Sequence, residues 1–261
     1  MNQTIDLNAD IGERPEALAD GSEERIIRLI SSGNIACGGH AGDESTMEEV
    51  LRLCIKQGVA IGAHPGYPDR LHFGRERLPL SSEEIQAAIH HQLSVLGKKA
   101  RALGATITQV KPHGALYNAA ATDRALAVAI AFGVARWSRD LLLVGLAGSE
   151  MLNVWEEIGF RTAAEAFADR LYESDGTLRS RSKLSDRAKD TERSLITDPM
   201  RAAEQAARIV REHRVISADG IAVPIEATTL CVHADTPNAP EILSAIRQRL
   251  TEEGILIQPL T

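Results

Sequence analysis

Four histidines each come directly after a short apolar run that is typical of the end of a buried β-strand. They are His40, His64, His113 and His233. A single histidine in such a position is most often a core or surface residue bonded to a neighbour. Four at equivalent positions predict one shared site, because the ends of parallel strands meet at one edge of a sheet or one mouth of a barrel. Imidazoles gathered there could transfer protons or bind a metal.

Carboxylate and amide side chains accompany these histidines. Asp10 and Glu13 follow the first predicted strand, where burial and neighbouring charges can tune a carboxyl group for general acid–base work. Asp10 could instead cap the turn that follows, a common role for aspartate. Further polar groups near the predicted strand ends are Asp6, Asn8, Asp43, Asp69 and Asp235.

Cationic side chains at the same predicted loops indicate an anionic ligand. Lys111 could hold an anionic group or an oxyanion, or form an ordinary ion pair at the surface. Arg70, Arg75 and Arg170 carry planar guanidinium groups that suit a carboxylate or a phosphate. Arg70 and Arg170 each follow an aspartate, Asp69 or Asp169, and could pair with that neighbour or with others in the same loop.

Three other kinds of chemistry have weaker support. Aspartate and histidine from several strand ends could bind Zn²⁺ or a related ion, but no His-x-x-x-His or His-Glu-x-x-His spacing is present. Cys37 could be a nucleophile, although its apolar surroundings favour a packed thiol. The glycines at residues 145–148 could contact a phosphate at a helix start, yet the chain has no P-loop or dinucleotide fingerprint.

The composition limits the class of protein. With 261 residues, 44% of them hydrophobic, the chain is long enough for one large domain with a sizeable core. Its formal net charge of −7 argues against a nucleic-acid partner. Neither a membrane span nor a signal-peptide pattern is recognisable. Three widely separated cysteines fit a reducing compartment, so we predict a cytoplasmic protein.

Predicted strands and helices alternate along the whole chain, which indicates an α/β fold with a parallel sheet and crossover helices. Functional residues at strand ends are spread from one end of the chain to the other. We therefore favour a single β/α-barrel domain over residues 1–261 rather than a Rossmann-type sheet. The charged segment at residues 175–197 has no clear period and is predicted to be a loop or lid.

Taken together, seven motifs resemble the LamB/YcsF family, in the same order and over essentially the full chain. They are DLNADIGE at 6–13, NIACGGHAGD at 34–43, IGAHPGYPDR at 61–70, VKPHGALYN at 110–118, VGLAGS at 144–149, EAFADR at 165–170 and CVHAD at 231–235. One departure is Ala234, where the family more often has glycine. The resemblance implies an irregular β/α barrel similar to those of the glycoside hydrolase/deacetylase superfamily.

The resemblance also implies a function. Members of the family are similar to the A-type subunit of an ATP-dependent 5-oxoprolinase, which opens the lactam ring of 5-oxo-L-proline to L-glutamate while ATP becomes ADP and phosphate. Two further subunits, B and C, similar to the two halves of allophanate hydrolase, are the implied protein partners. ATP is the implied cofactor, bound with or by those partners. The aspartate and histidine residues leave a divalent metal open as a further cofactor.

With this chemistry in mind, the candidate residues fall into two sets. The catalytic set, for proton transfer or ligand binding, is Asp10, His40, His64 and His113. The substrate-binding set is Asn8, Glu13, Asp43, Arg70, Lys111, Asp169, Arg170 and His233. Two alternatives stay open: a metal-dependent hydrolase or deacetylase on the same barrel, and a non-catalytic member of the complex.

Overall fold

The fold is a closed barrel of seven parallel strands. The structure, a computed structural model, describes residues 3–179 and 194–260. Its strands are β1 (Thr4–Ile11), β2 (Ser32–Ala36), β3 (Ala60–His64), β4 (Gln109–Val110), β5 (Leu142–Leu146), β6 (Thr162–Phe167), β7 (Arg214–Ile216), β8 (Ala222–Pro224), β9 (Thr229–Cys231) and β10 (Leu256–Ile257). The barrel order is β1-β2-β3-β4-β5-β6-β9, and β9 closes it by pairing with β1. The predicted barrel is thereby confirmed.

Helices connect the strands on the outside of the barrel. They are α1 (Pro15–Ala19), α2 (Ser22–Ile27), α3 (Glu44–Gln57), α4 (Ser82–Ala102), α5 (Gly114–Ala120), α6 (Arg124–Ala135), α7 (Glu150–Ile158), α8 (Pro199–Glu212) and α9 (Ala239–Glu252). Among the described residues, no helix is both long and apolar enough to cross a membrane.

Local sequence signals account for the ends of the longest helices. Asp43 is the N-cap of α3, and its carboxylate accepts the amide of Thr46; Gly58, in the left-handed conformation, is the C-cap. α4 begins with a capping box in which Ser81 and Glu84 each accept the other's backbone amide. Such caps satisfy backbone groups that a helix end leaves unpaired.

The first strand explains why this barrel has a polar interior. Its residues alternate, so Asp6, Asn8 and Asp10 project to one face while Leu7 and Ala9 project to the other. All five are buried. The apolar face packs under the helices, and the polar face lines the inside of the barrel among other buried polar side chains, namely Ser32, Asn34, Gln109, Glu165 and Thr229.

Several details of the fold are not evident from the local sequence patterns. The connection at residues 14–21 contains the short helix α1, and α5 begins directly after His113. β4 is only two residues long, although the preceding Thr108 also forms backbone hydrogen bonds with Ile61 and Leu142. β7 pairs antiparallel with β8 in a separate hairpin. Of the loop predicted at 175–197, residues 180–193 lie outside the described residues.

Candidate active site

The candidate residues converge at the carboxyl ends of the barrel strands. Asp10 lies in β1 and Glu13 follows it; His40 follows β2; His64 ends β3; Lys111 and His113 follow β4; Glu165 lies in β6. Parallel strands place these ends at one mouth of the barrel. Residues from distant parts of the chain are therefore brought together, as the strand-end pattern predicted.

The Glu13 carboxylate lies among three imidazoles. Its Oε1 atom is 3.0 Å from Nε2 of His40, 3.1 Å from Nδ1 of His113 and 3.7 Å from Nε2 of His64. The rings of His40 and His113 stack with centroids 3.5 Å apart, and the His64 ring is edge-on to both. We call Glu13, His40, His64 and His113 the histidine cluster.

Backbone carbonyls determine which ring nitrogens carry protons. His64 Nδ1 lies 2.7 Å from the carbonyl oxygen of Lys111, and His113 Nε2 lies 2.9 Å from that of Phe73. A carbonyl oxygen only accepts, so both of these nitrogens are N–H donors. In two neutral rings, His64 Nε2 and His113 Nδ1 would then face each other with lone pairs, 3.0 Å apart. This contact requires a positive charge, either a proton or a metal ion.

The electrostatics of the cluster favour that positive charge. Burial opposes it, but the charge of Asp10 and a hydrogen bond to it raise the pKa of His64. Burial likewise opposes ionisation of Glu13, but hydrogen bonds from His113 and His40 hold its pKa far below the usual range. Burial lowers the pKa of His40 to about 3. The cluster thus combines an ionised carboxylate, a neutral His40 and a readily protonated His64.

Lys111 connects the histidine cluster to the barrel interior. Its Nζ atom lies 3.0 Å from Asp10 Oδ1, 2.8 Å from Glu165 Oε1 and 3.2 Å from Cys231 Sγ. Burial opposes both charges, yet the mutual attraction holds the pKa of Asp10 well below its usual value and that of Lys111 well above. All three ammonium protons have acceptors, so Lys111 is a buried ion-pair residue rather than an exposed anion contact.

Further polar residues around Lys111 complete this arrangement. Glu165 Oε1 accepts from Asn8 at 3.1 Å, and its Oε2 atom accepts from the Tyr117 hydroxyl at 2.8 Å. Asn34 donates to Asn8 at 2.9 Å and to Asp10 at 3.1 Å. Sequence reasoning did not single out Glu165, Tyr117 or Asn34 as site residues. Their positions inside three of the quoted motifs were the available signal.

His233 forms a separate pair beside the cluster. Its Nδ1 atom lies 3.0 Å from Oδ2 of Asp169, which also accepts from the Thr236 hydroxyl at 2.6 Å. The His233 ring stacks on Phe167 with centroids 5.1 Å apart. Asp10, Cys231 and His233 also have potential ligand atoms within 4.8 Å of one another, so this pair borders the same site from the β9 side.

The remaining predicted residues lie at the edge of this arrangement. Asp43 caps α3 through its carboxylate. Arg70 is exposed and donates to the carbonyl of Gly42 at 2.6 Å, in the loop that carries His40. Arg170 is buried and donates to the carbonyl of Arg179 at 2.6 Å. Cys37 is buried, and burial raises the pKa of its thiol to about 12, which disfavours a nucleophilic thiolate.

The histidine cluster has the donor set of a zinc-type metal site. A tetrahedral zinc ion bound at about 2.0–2.2 Å has ligand atoms about 3.3–3.6 Å apart. Glu13 Oε1 lies 3.0–3.7 Å from the three ring nitrogens, a span that includes the separations expected around zinc. The two N–H groups donated to backbone carbonyls are the usual second contacts of metal-bound histidines. These four residues therefore fit a divalent metal.

Comparisons of sequence find close relatives over the whole chain. The LamB/YcsF family model matches residues 5–261. A protein of Chloroflexus aurantiacus, named as the A-type subunit of 5-oxoprolinase, is 47% identical, with 98% of each chain covered. A protein of the same name from Geobacillus kaustophilus is 45% identical, with 98% of this chain and 96% of the relative covered.

Comparisons of structure find the same barrel in two kinds of solved protein. The crystal structure of a lactam utilization protein from Thermus thermophilus matches with a TM-score of 0.88 and 41% identity, covering 99% of this chain and 100% of that one. A family 4 carbohydrate esterase from Streptomyces lividans matches with a TM-score of 0.54 and 10% identity, covering 100% and 94%. The second likeness concerns the fold alone and confirms the predicted deacetylase-like barrel.

Proposed function

The chain belongs to the LamB/YcsF family, and from this premise we propose that it is the A-type subunit of an ATP-dependent 5-oxoprolinase. In this proposal the complex opens the lactam of 5-oxo-L-proline to L-glutamate while ATP is hydrolysed to ADP and phosphate. The names of its relatives, which refer to 5-oxoprolinase and to lactam utilization, support the reaction class.

The observation that carries the proposal is the charge-requiring contact between His64 and His113 beside Glu13. A lactam is a stabilised amide, and phosphorylation of its carbonyl oxygen by ATP makes the carbon open to attack by water. Attack of water and cleavage of the C–N bond then need a base to take a proton from water and an acid to protonate the departing nitrogen. These steps leave γ-glutamyl phosphate, and its hydrolysis by a second water gives glutamate and phosphate. His64 and His113, with ring nitrogens 3.0 Å apart, can share one such proton.

The residues take the following roles in this proposal. His113 Nδ1 takes the proton from water, and His64 supplies the proton to the lactam nitrogen. Glu13 stabilises the imidazolium form, and Asp10 orients His64, whose Nε2 atom is 3.4 Å from Asp10 Oδ2. His40 stacks on His113 and restricts its rotation.

Substrate binding involves the residues around this cluster. Arg70 and His233 are at least partly exposed and are our first candidates for contacting the carboxylate of 5-oxoproline. Asp169 fixes the His233 ring. Lys111 and Asn8 act from inside the barrel by holding Asp10 and Glu165. Asp43 and Arg170 support the loops that carry these groups.

Two partner subunits, B and C, are part of the proposal, since the relatives are named as one subunit of a larger enzyme. ATP is bound with or by those partners, and the phosphorylated substrate is handled at the barrel mouth. We place the complex in the cytoplasm, where ATP is available; the three cysteines are free thiols.

The deciding experiment measures glutamate release from 5-oxoproline and ATP by this chain alone and with both partners. Activity that requires all three chains supports the proposal. Folded partners that remain inactive with this chain contradict it. Unchanged activity of the complex after His113→Ala would instead favour a non-catalytic role for this chain.

A metal-dependent hydrolase is the second candidate, favoured by the fit of the histidine cluster to a zinc-type ion. Glu13, His40, His64 and His113 would hold the metal, which would act as a Lewis acid on a carbonyl oxygen and lower the pKa of bound water. Metal analysis after dialysis against Zn²⁺ tests this candidate. About one zinc per chain, lost in the Glu13→Gln/His40→Ala variant, supports it, and a substoichiometric amount contradicts it.

A further inference from the structure

The candidate catalytic groups are almost completely enclosed in this conformation. The side chains of the histidine cluster are between 0% and 11% exposed, and those of Asp10 and Lys111 are 9% and 3% exposed. Side chains covered to this extent leave little surface for a small molecule the size of a lactam to contact. Access to the site therefore requires some part of the covering structure to move.

The loop between β3 and α4, residues 67–80, provides this cover. The Phe73 ring is edge-on to His40 and to His113, with centroid distances of 5.4 Å in each case. The Phe73 carbonyl is the acceptor that determines which nitrogen of His113 is protonated. Closing the loop therefore both shields the cluster and sets the state of one of its imidazoles.

The backbone conformation of this loop allows it to lie close against His40 and His113. Phe73 has a φ of 55°, a left-handed conformation that is uncommon for a residue with a side chain. Gly74 follows with a φ of 61°, and a Cβ atom there would lie 2.8 Å from His40 Cβ and 3.0 Å from His113 Cδ2. The Gly74 carbonyl accepts the amide of Ala115 at 3.0 Å. Only glycine fits at this contact.

Side-chain contacts that hold the loop down are mostly at the surface. Arg75 pairs with Asp235 at 2.7 Å, with side chains 53% and 27% exposed. Arg77 pairs with Asp123 at 2.6 Å, with side chains 60% and 29% exposed. Exposed ion pairs of this kind contribute little stability. Apart from the backbone contacts of Phe73 and Gly74 described above, these two ion pairs of the loop can therefore be exchanged for contacts with water at low cost.

We propose that residues 67–80 form a gate over the histidine cluster, with Phe73 and Gly74 as its contact with His40 and His113 and the Arg75–Asp235 pair as its latch. Opening exposes the imidazoles to substrate. Closing excludes water and returns the Phe73 carbonyl to His113. The inference concerns access to the site and holds for either candidate reaction.

The first test is chemical labelling of histidines with diethyl pyrocarbonate, read by mass spectrometry of each peptide. His91 and His213 are exposed. Their labelling rates serve as the reference for histidines that the loop does not cover. We expect His40 and His113 to label far more slowly than these two, and Arg75→Ala to speed their labelling about two- to fivefold, as loss of an exposed ion pair predicts. Arg75→Lys keeps the charge and should label close to the wild-type rate.

The matched control is Arg25→Ala, which removes another 2.7 Å exposed pair, with Glu241, between α2 and α9. It should leave the labelling of His40 unchanged. Wild-type His40 and His113 that label as fast as His91 would overturn the gate. Equal labelling in Arg75→Ala and wild type would overturn the latch.

The second test replaces the glycine contact itself. Gly74→Ala should prevent closure, so His40 and His113 should label at least about tenfold faster while the circular dichroism spectrum is unchanged. Gly220→Ala is its control, because Gly220 has a similar positive φ of 81° but a Cβ there would meet no atom within 4 Å. If both variants label like wild type, residues 67–80 do not control access.

Discussion

The Nε2 atom of His64 lies 3.0 Å from the Nδ1 atom of His113, and the opposite nitrogen of each ring donates to a backbone carbonyl. Both carbonyls belong to loops at the same barrel mouth, those of Lys111 and Phe73. The backbone therefore leaves two lone pairs facing each other and creates the need for a proton or a metal ion between them. Either species would satisfy both lone pairs, and in the proposed function this pair is the reactive centre of the site.

Replacement of His113 by alanine should remove this centre. In the three-subunit complex we expect kcat to fall by about 10²–10⁴, the usual contribution of a general acid or base. His91→Ala is the matched control, because His91 is exposed on α4. Steady-state glutamate release, with a thermal melt to verify folding, measures both. Equal rates for the two variants would contradict the assigned role.

Removal of the Lys111 ammonium should destabilise the barrel. Lys111→Met leaves the buried carboxylates of Asp10 and Glu165 without their cation, and breaking a buried pair in this way costs about 3–5 kcal/mol. The double variant Lys111→Met/Glu165→Gln removes one of the two stranded charges and should recover part of the loss. Urea unfolding at pH 7 gives both free energies. A double variant less stable than the single one would contradict this account.

The pH dependence of stability should include a contribution from Glu23. This residue is buried in α2 and accepts the amide of Gly12, next to Glu13. Burial raises its pKa from 4.5 to about 7, although the Gly12 amide opposes this. A raised carboxyl pKa means that the folded protein holds the proton more tightly than the unfolded chain. This contribution to stability is present below pH 4.5 and is lost as the pH rises towards 7.

Glu23→Gln should abolish this loss of stability with rising pH. Relative to wild type, the variant should gain about 3 kcal/mol in the free energy of unfolding between about pH 4.5 and pH 8. The charged groups that act on Glu23 are Arg14, Glu13 and Asp20. Chemical unfolding over this pH range, with the neighbouring Glu24→Gln as control, measures the difference. A parallel pH profile for wild type and Glu23→Gln would contradict the prediction.

Cys37 should prove dispensable for turnover. Its thiol is buried, donates to the Ile35 carbonyl and has a pKa raised to about 12 by burial. We expect Cys37→Ala to keep kcat within about twofold and to cost about 1 kcal/mol of stability through the small cavity. A thiol reagent should not modify native Cys37 at neutral pH. Loss of activity in a folded Cys37→Ala variant would revive the nucleophile hypothesis.

Much of the fold was predictable from local sequence. Alternating strand and helix patterns indicated a parallel barrel, and Asp43 and Gly58 are clear local signals for the two ends of α3. The four histidines after apolar runs indicated the mouth of the barrel. The antiparallel pair of β7 and β8 was missed, since three-residue strands carry little periodicity. The single domain over residues 1–261 stays a prediction.

By itself, the sequence determined the alternation of elements and which polar residues stand at strand ends, because those properties depend on neighbours in the chain. Only the tertiary structure decided which partners each residue contacts. Lys111 became a buried ion-pair residue when closure of the barrel brought Asp10 and Glu165 to it. The cover over the histidines proved to include residues 67–80, because Phe73 and Gly74 contact His40 and His113 only after folding. Contacts between distant segments have no local signature, so they arise only when the barrel closes.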